Sequence, residues 1–155
     1  MKRLPSIYFP QFRNFLFLVL VACFLTSCGK GRRTKLEHAR IETILLQSRA
    51  YATDHKDIYP TSLDDLYPKY IDLATIFYSP PQSEAEEVPQ AYYFRTGLKV
   101  GAKMDEPLVV SPHVVRGKVN VGYIGGFIRK LEYEEAQKIL TLNGWLQEAP
   151  SFKDL

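Results

Sequence analysis

The stretch from Lys35 to Ile71 constrains the fold most, because it holds a long run with no helix breaker. Neither Gly nor Pro occurs between Lys35 and Ile58. Within that run Leu36, Ala39, Ile41, Ile44, Leu45, Ser48, Tyr51, Ala52 and His55 recur at steps of three and four. Side chains so spaced share one face of a helix. Glu37, Arg40, Glu42, Thr43, Gln47, Arg49 and Asp54 fall largely on the other side. The helix is expected to end near Lys56, since Tyr59-Pro60 biases the chain toward an extended backbone. Ser62 followed by Asp65 reads as the start of a second, short helix, which Pro68 limits to about two turns. An apolar helix face of this size has to be covered by something.

Strand signals after Ile71 supply the cover. Asp72 to Tyr78 reads as a short apolar link, and Ser79 to Gln90 as a loop with Pro80, Pro81, Pro89 and the acidic tip Glu84, Glu86 and Glu87. That charge run reads as solvated surface. Ala91 to Arg95 is aromatic-rich, Leu108 to Val110 is a short apolar strand closed by Pro112, and Lys118 to Tyr123 alternates. The alternation puts Val119, Val121 and Tyr123 on one face. Gly125-Gly126 accepts the positive φ of a hairpin turn, and Phe127 to Leu131 returns as the next strand. Tyr133 to Leu142 reads as a closing helix with Asn143-Gly144 as its stop. The tail from Trp145 to Leu155 reads as irregular, with Trp145 and Phe152 able to tack it back. The expected fold class is α+β. A long N-terminal helix lies on an antiparallel sheet of three or four strands, with a short C-terminal helix, over residues 36–144.

The N-terminus carries a different message. Lys2, Arg3 and Arg13 form a basic opening, and Phe15 to Leu25 is an unbroken apolar run of eleven residues. That is short for a bilayer-spanning helix but fits the apolar core of a secretory signal. Leu25-Thr26-Ser27-Cys28-Gly29 follows, which resembles a bacterial lipoprotein signal over residues 1–29. The resemblance implies cleavage before Cys28, acylation of that residue and anchoring of residues 28–155 to a membrane surface. Gly29 stands where lipoproteins retained at the inner membrane of Gram-negative bacteria carry Asp, which implies the outer membrane, facing the periplasm. The alternative is an ordinary signal or a short anchor helix with Cys28 incidental.

Removing residues 1–27 takes Lys+Arg from 20 to 17 and leaves Asp+Glu at 17, so the mature chain is near neutral. The basic character of the full chain therefore belongs to the signal, and gives no argument for nucleic acid as a partner. With Cys23 removed and Cys28 acylated, no thiol is left for a disulfide or a metal. Residues 28–35 read as the acylated Cys and a basic linker, solvated or resting on anionic head groups.

A second resemblance covers about Ala39 to Leu140. Tyr51, Asp54, His55, Tyr59, Pro60, Ser62, Leu63, Asp65, Leu66 and Tyr70 are arranged as in prepilin-like proteins of the type II secretion pseudopilin class. His113 followed by Val119 to Ile128 is similar to the C-terminal half of one such group. Gly125-Gly126 replaces its Asp-Gly, and the eleven residues between His113 and Gly125 make a longer gap. The prepilin signature and its Glu are absent, and a lipoprotein motif stands in their place. The resemblance implies a pseudopilin-like soluble domain without membership of a filament. No acid occurs from Arg116 to Phe127, so the calcium loop of some major pseudopilins is not expected.

No catalytic constellation emerges. His38 and His55 are nearly five helical turns apart and cannot share a metal. Asp54 to Asp57 reads as a solvated helix end and Asp64-Asp65 as acids favoured at a helix start. Ser48, Ser62 and Ser111 lack the Gly-x-Ser-x-Gly setting, and the glycines form no phosphate loop. The expectation is a non-enzymatic envelope lipoprotein without cofactor or metal, acting through protein contacts, as an accessory to a secretion or pilus-like machine or as an adaptor. The alternative is a small-ligand or peptide binder using Tyr92, Phe94 and Tyr123 on an aromatic sheet face.

Overall fold

A computed structural model describes residues 10–81, 89–99 and 101–147, with side chains from residue 31 onward. The chain divides into two units, Met1–Thr34 and Lys35–Leu155. Helix α1 is Pro10–Asp54, so the basic linker expected before Lys35 is helical. Among the described residues, no helix is long and apolar enough to cross a membrane. The signal's first nine residues, the side chain of Cys28, the acidic tip and Phe152 lie outside what is described.

The second unit is α+β. Its strands are β1 (Tyr93–Arg95), β2 (Pro107–Val110), β3 (Lys118–Tyr123), β4 (Ile128–Glu132) and β5 (Trp145–Leu146), with helix α2 (Tyr133–Leu140) between the last two. They form one antiparallel sheet in the order β4-β3-β2-β1-β5. The sheet has five strands where three or four were expected. The fifth is the start of the supposedly irregular tail: Leu146 pairs with Phe94 and Trp145 with Arg95. Gly144, at φ 93°, turns the chain into that pairing, and its carbonyl accepts from Thr96 N at 2.7 Å. A two-residue strand carries too little periodicity to be read from sequence.

The register sorts the side chains into two faces. Phe94, Val109 and Gly122 pair in one row, as do Tyr93, Val110 and Val121 in the next. Adjacent rows point to opposite faces. The first row lies under α1: a Cβ on Gly122 would stand 2.7 Å from Ile41 Cγ2 and 3.0 Å from Leu45 Cδ1. At Gly122 the side chains of the helix therefore rest directly on the sheet backbone. A bulge between Pro107 and Val109 lets the consecutive Leu108 and Val109 both join this side. Ile41, Ile44, Leu45, Ala52, Tyr92 and Phe94 share that core, together with Leu63, Leu66 and Phe77 from the segment between α1 and β1. Each large apolar side chain buried there contributes about 1.5–3 kcal/mol.

The second row and Val119 face α2. Val110, Val119, Val121, Tyr123 and Ala136 form a separate cluster, against which Tyr93, Leu131, Ile139 and Trp145 pack. The sheet is therefore covered on both faces.

The segment between α1 and β1 is two 3-10 turns, Leu63–Leu66 and Ala74–Phe77. Asp65 Oδ2 fixes the first, accepting from the backbone nitrogens of Thr61 at 2.7 Å and Ser62 at 3.1 Å.

Candidate functional site

The spacing along α1 puts Leu36 on the apolar face and Glu37 largely on the other side. The structure reverses both: Glu37 is 1% exposed and Leu36 is 45% exposed. The buried stripe of α1 runs 37, 41, 44/45, 48, 52, with Tyr51 half-buried beside it. Glu37 is one turn before Ile41, so it points into the same interface. There it meets the next row of the α1-facing sheet surface, Ser111 beside Asn120.

Ser111 directly follows β2, and its backbone nitrogen donates to Asn120 O at 2.9 Å. Two residues from Val109 and Gly122 respectively, Ser111 and Asn120 face α1 as those do. Ser111 Oγ donates a short hydrogen bond to Glu37 Oε1 and accepts one from His113 N at 3.1 Å. Asn120 Nδ2 donates to Glu37 Oε2 at 2.8 Å. Ser79 Oγ, carried by the chain leaving the second 3-10 turn, donates to Oε1 at 3.2 Å. One turn along α1 from Glu37, Arg40 Nη1 donates to Tyr78 O at 2.7 Å and holds that segment against the helix.

Tyr92 completes the row. Its ring is fully buried, and its hydroxyl makes no hydrogen bond of normal geometry. Burial pushes the phenol far above its ordinary pKa and the Glu37 charge adds to the shift, while Ser79 and Arg40 oppose it. The Oδ1 of Asn120 is likewise buried without a partner.

This cluster is sealed: Glu37, Ser79, Ser111 and Asn120 are all buried. Burying a carboxyl group is costly unless hydrogen bonds replace its water. Here three donors from three separate segments do so, which fixes the rotation and register of α1 on the sheet. The Ser111 hydroxyl is committed to Glu37, and His113 donates to it through its backbone nitrogen. The arrangement clamps the helix onto the sheet.

The three aromatics proposed as a binding face do not share a surface. Tyr92 and Phe94 are core residues under α1, and Tyr123 lies in the cluster on the opposite side of the sheet. Tyr123 stacks on Phe127 at 4.8 Å, with the Arg129 guanidinium 5.5 Å from its ring centre. Burial raises its phenol pKa, against the pull of Arg129. Register explains the separation: Tyr92 and Phe94 are in phase with Val109, and Tyr123 is in phase with Val110.

A second polar group closes the other end of the helix. The Tyr51 and His55 rings stack at 3.8 Å, and Tyr70 meets Tyr51 edge-on at 5.4 Å. Asp54 Oδ2 accepts from Tyr70 Oη at 2.7 Å and from Lys69 Nζ at 3.1 Å. The Tyr70 hydrogen bond, followed by Lys69, holds the Asp54 carboxyl below its ordinary range. The exposed Asp54 therefore ties the helix end to the segment after it, beyond being solvated. Among the described residues, no group of three His, Cys, Asp or Glu is placed to hold a metal ion.

Set against protein-family models, curated proteins and solved structures, the chain matches none of them. The class that the fold defines is an α+β domain of one long helix, a five-stranded antiparallel sheet and a short C-terminal helix.

Proposed function

We propose that this chain is a non-enzymatic cell-envelope lipoprotein, held to the membrane through an acylated Cys28, with a pseudopilin-like domain that works through protein–protein contacts. The observation that carries the reading is Leu25-Thr26-Ser27-Cys28 directly after the apolar run Phe15 to Leu25. The same boundary leaves a mature chain with no spare thiol and balanced charge. A long helix laid on an antiparallel sheet is compatible with the pseudopilin resemblance of Tyr51 to Tyr70. The hydroxyls of Ser79 and Ser111, both turned onto Glu37, support a structural role for the polar cluster. Gly29 favours the outer membrane, facing the periplasm. The partner on this reading is a protein of the envelope, with the chain serving as an accessory to a secretion or pilus-like machine or as an adaptor. The ligand-binding alternative loses ground because Tyr92, Phe94 and Tyr123 are buried on two different faces.

Growth with radiolabelled fatty acid tests the reading. Label enters the wild-type protein and is lost in Cys28→Ser. Label that persists in the variant, or never enters the wild type, overturns it.

A further inference from the structure

The turn between β2 and β3 carries exposed apolar and basic side chains side by side. Val115 and Lys118 bond each other's backbones in both directions, at 2.8 and 3.1 Å. Between them Arg116 has φ 54° and Gly117 φ 76°, the double positive φ of a tight two-residue hairpin turn. This geometry projects Val114 and Val115 outward, at 47% and 36% exposure, with Arg116 and Lys118 exposed alongside.

The position of this tip in the domain follows from the helix contacts. Gly122 faces Ile41 and Leu45, while Asn120 and Ser111 face Glu37. Moving along β3 from 122 toward 118 is therefore moving along α1 toward Lys35. The hairpin tip lies at the end where the chain enters the domain, and the exposed Leu36 belongs to that end as well. Cys28 is seven residues before Lys35, a distance that no conformation stretches beyond about 25 Å. The intervening sequence contains Lys30, Arg32 and Arg33.

We propose that the β2–β3 hairpin is a second membrane contact: Val114 and Val115 enter the head-group boundary of an anionic lipid surface, and Arg116 and Lys118 bind its phosphates. The proposal rests on the lipid-anchor reading for its proximity to a bilayer. Lys118 also pairs with Glu132 at 2.9 Å, which leaves Arg116 as the stronger contributor. The valines provide the insertion, and the basic residues favour anionic lipid.

The test uses the full protein isolated from membranes and reconstituted in vesicles of phosphatidylcholine, with and without phosphatidylglycerol. An environment-sensitive fluorophore is placed at Val114→Cys and, separately, at Met104→Cys. Met104 is 68% exposed and adjoins the β3–β4 turn, at the opposite end of the sheet. Bromine on the lipid acyl chains quenches a probe that reaches them. The expected result is blue-shifted emission and several-fold stronger quenching at 114 than at 104, and greater quenching with phosphatidylglycerol present. Arg116→Glu is expected to weaken the phosphatidylglycerol effect by about fivefold or more. Mass spectrometry of the same preparations reports whether Cys28 is acylated. Acylated protein with equal, weak quenching at both sites overturns the hairpin contact and leaves the anchor standing. Unacylated protein overturns the anchor; quenching at 114 in a Cys23→Ser, Cys28→Ser background added to vesicles, where 114 alone takes the fluorophore, then upholds the hairpin by itself, while its absence overturns both.

Discussion

Replacing Glu37 by Ala removes the acceptor for three buried donors, Ser79 Oγ, Ser111 Oγ and Asn120 Nδ2. Each orphaned buried donor costs about 1–3 kcal/mol. The costs do not add fully, because the freed hydroxyls can turn to other acceptors. Ala is a better helix former than Glu, which returns a few tenths of a kcal/mol. The net expectation is a loss of about 3–5 kcal/mol, the range for breaking a buried charged network on one side. With a urea dependence of about 2 kcal/mol per M, that lowers the unfolding midpoint by about 2 M. The assay is urea unfolding followed by circular dichroism, with Glu42→Ala as the comparison. Glu42 is an exposed residue on the same helix, and its replacement is expected to fall within about 0.5 kcal/mol of wild type. A combined Glu37→Met, Ser111→Ala, Asn120→Leu variant is expected to recover much of the loss, since removing donors and acceptor together leaves fewer unmet groups. If Glu37→Ala unfolds at the same urea concentration as Glu42→Ala, the carboxyl group is in water and the clamp does not exist.

Further outcomes follow from the same structure. Gly122→Ala is expected to lose about 1–3 kcal/mol by overpacking against Ile41 and Leu45, and adding Ile41→Ala is expected to cost less than the two changes summed, as thermal unfolding of a double-mutant cycle reads out. Trp145→Ala is expected to cost about 2 kcal/mol, because Trp145 packs on the α2-side cluster and its Nε1 donates to Ile139 O; an unchanged midpoint would return residues 145 and 146 to an irregular tail. Asp54 is expected to titrate below the usual carboxylate range by NMR, so its favourable linkage is present above the unfolded pKa and is lost as pH falls through the folded one. Tyr70→Phe is expected to move that midpoint upward, and no movement would remove Tyr70 as the leading cause. The Tyr92 phenol is raised on folding, so stability falls as pH climbs above the ordinary phenol value. Its phenolate absorbance is expected only on alkaline unfolding, and ionisation in the folded state would contradict its burial.

Much of the fold was legible because it rests on strong periodicity. Lys118 to Tyr123 alternates cleanly, and β3 has those limits. Tyr133 carries the start of α2 as expected, and Gly125-Gly126 turns the chain between β3 and β4. The buried stripe of α1 from Ile41 to Ala52 was equally legible. The clamp was missed because residue type outweighed position. Glu37 lies four residues before Ile41, the step that also joins Ile41 to Leu45 and Ser48 to Ala52, but as a carboxylate it reads as a residue of the other, polar side. Only the sheet could show that Ser111 and Asn120 wait beneath it. They lie nine residues apart in sequence and become neighbours through the pairing of β2 with β3. The aromatic face failed for a related reason: Tyr92, Phe94 and Tyr123 look alike in composition, and only strand register separates them onto opposite sides.

The claim on which the functional reading stands is a covalent one, at a single sulfur atom. Intact-mass analysis of the protein recovered from its native membrane tests it directly. A chain that begins at Cys28 and carries the added mass of acyl groups on that residue is the expected result. A membrane-derived chain that still begins at Met1, or that begins elsewhere with an unmodified Cys28, contradicts it.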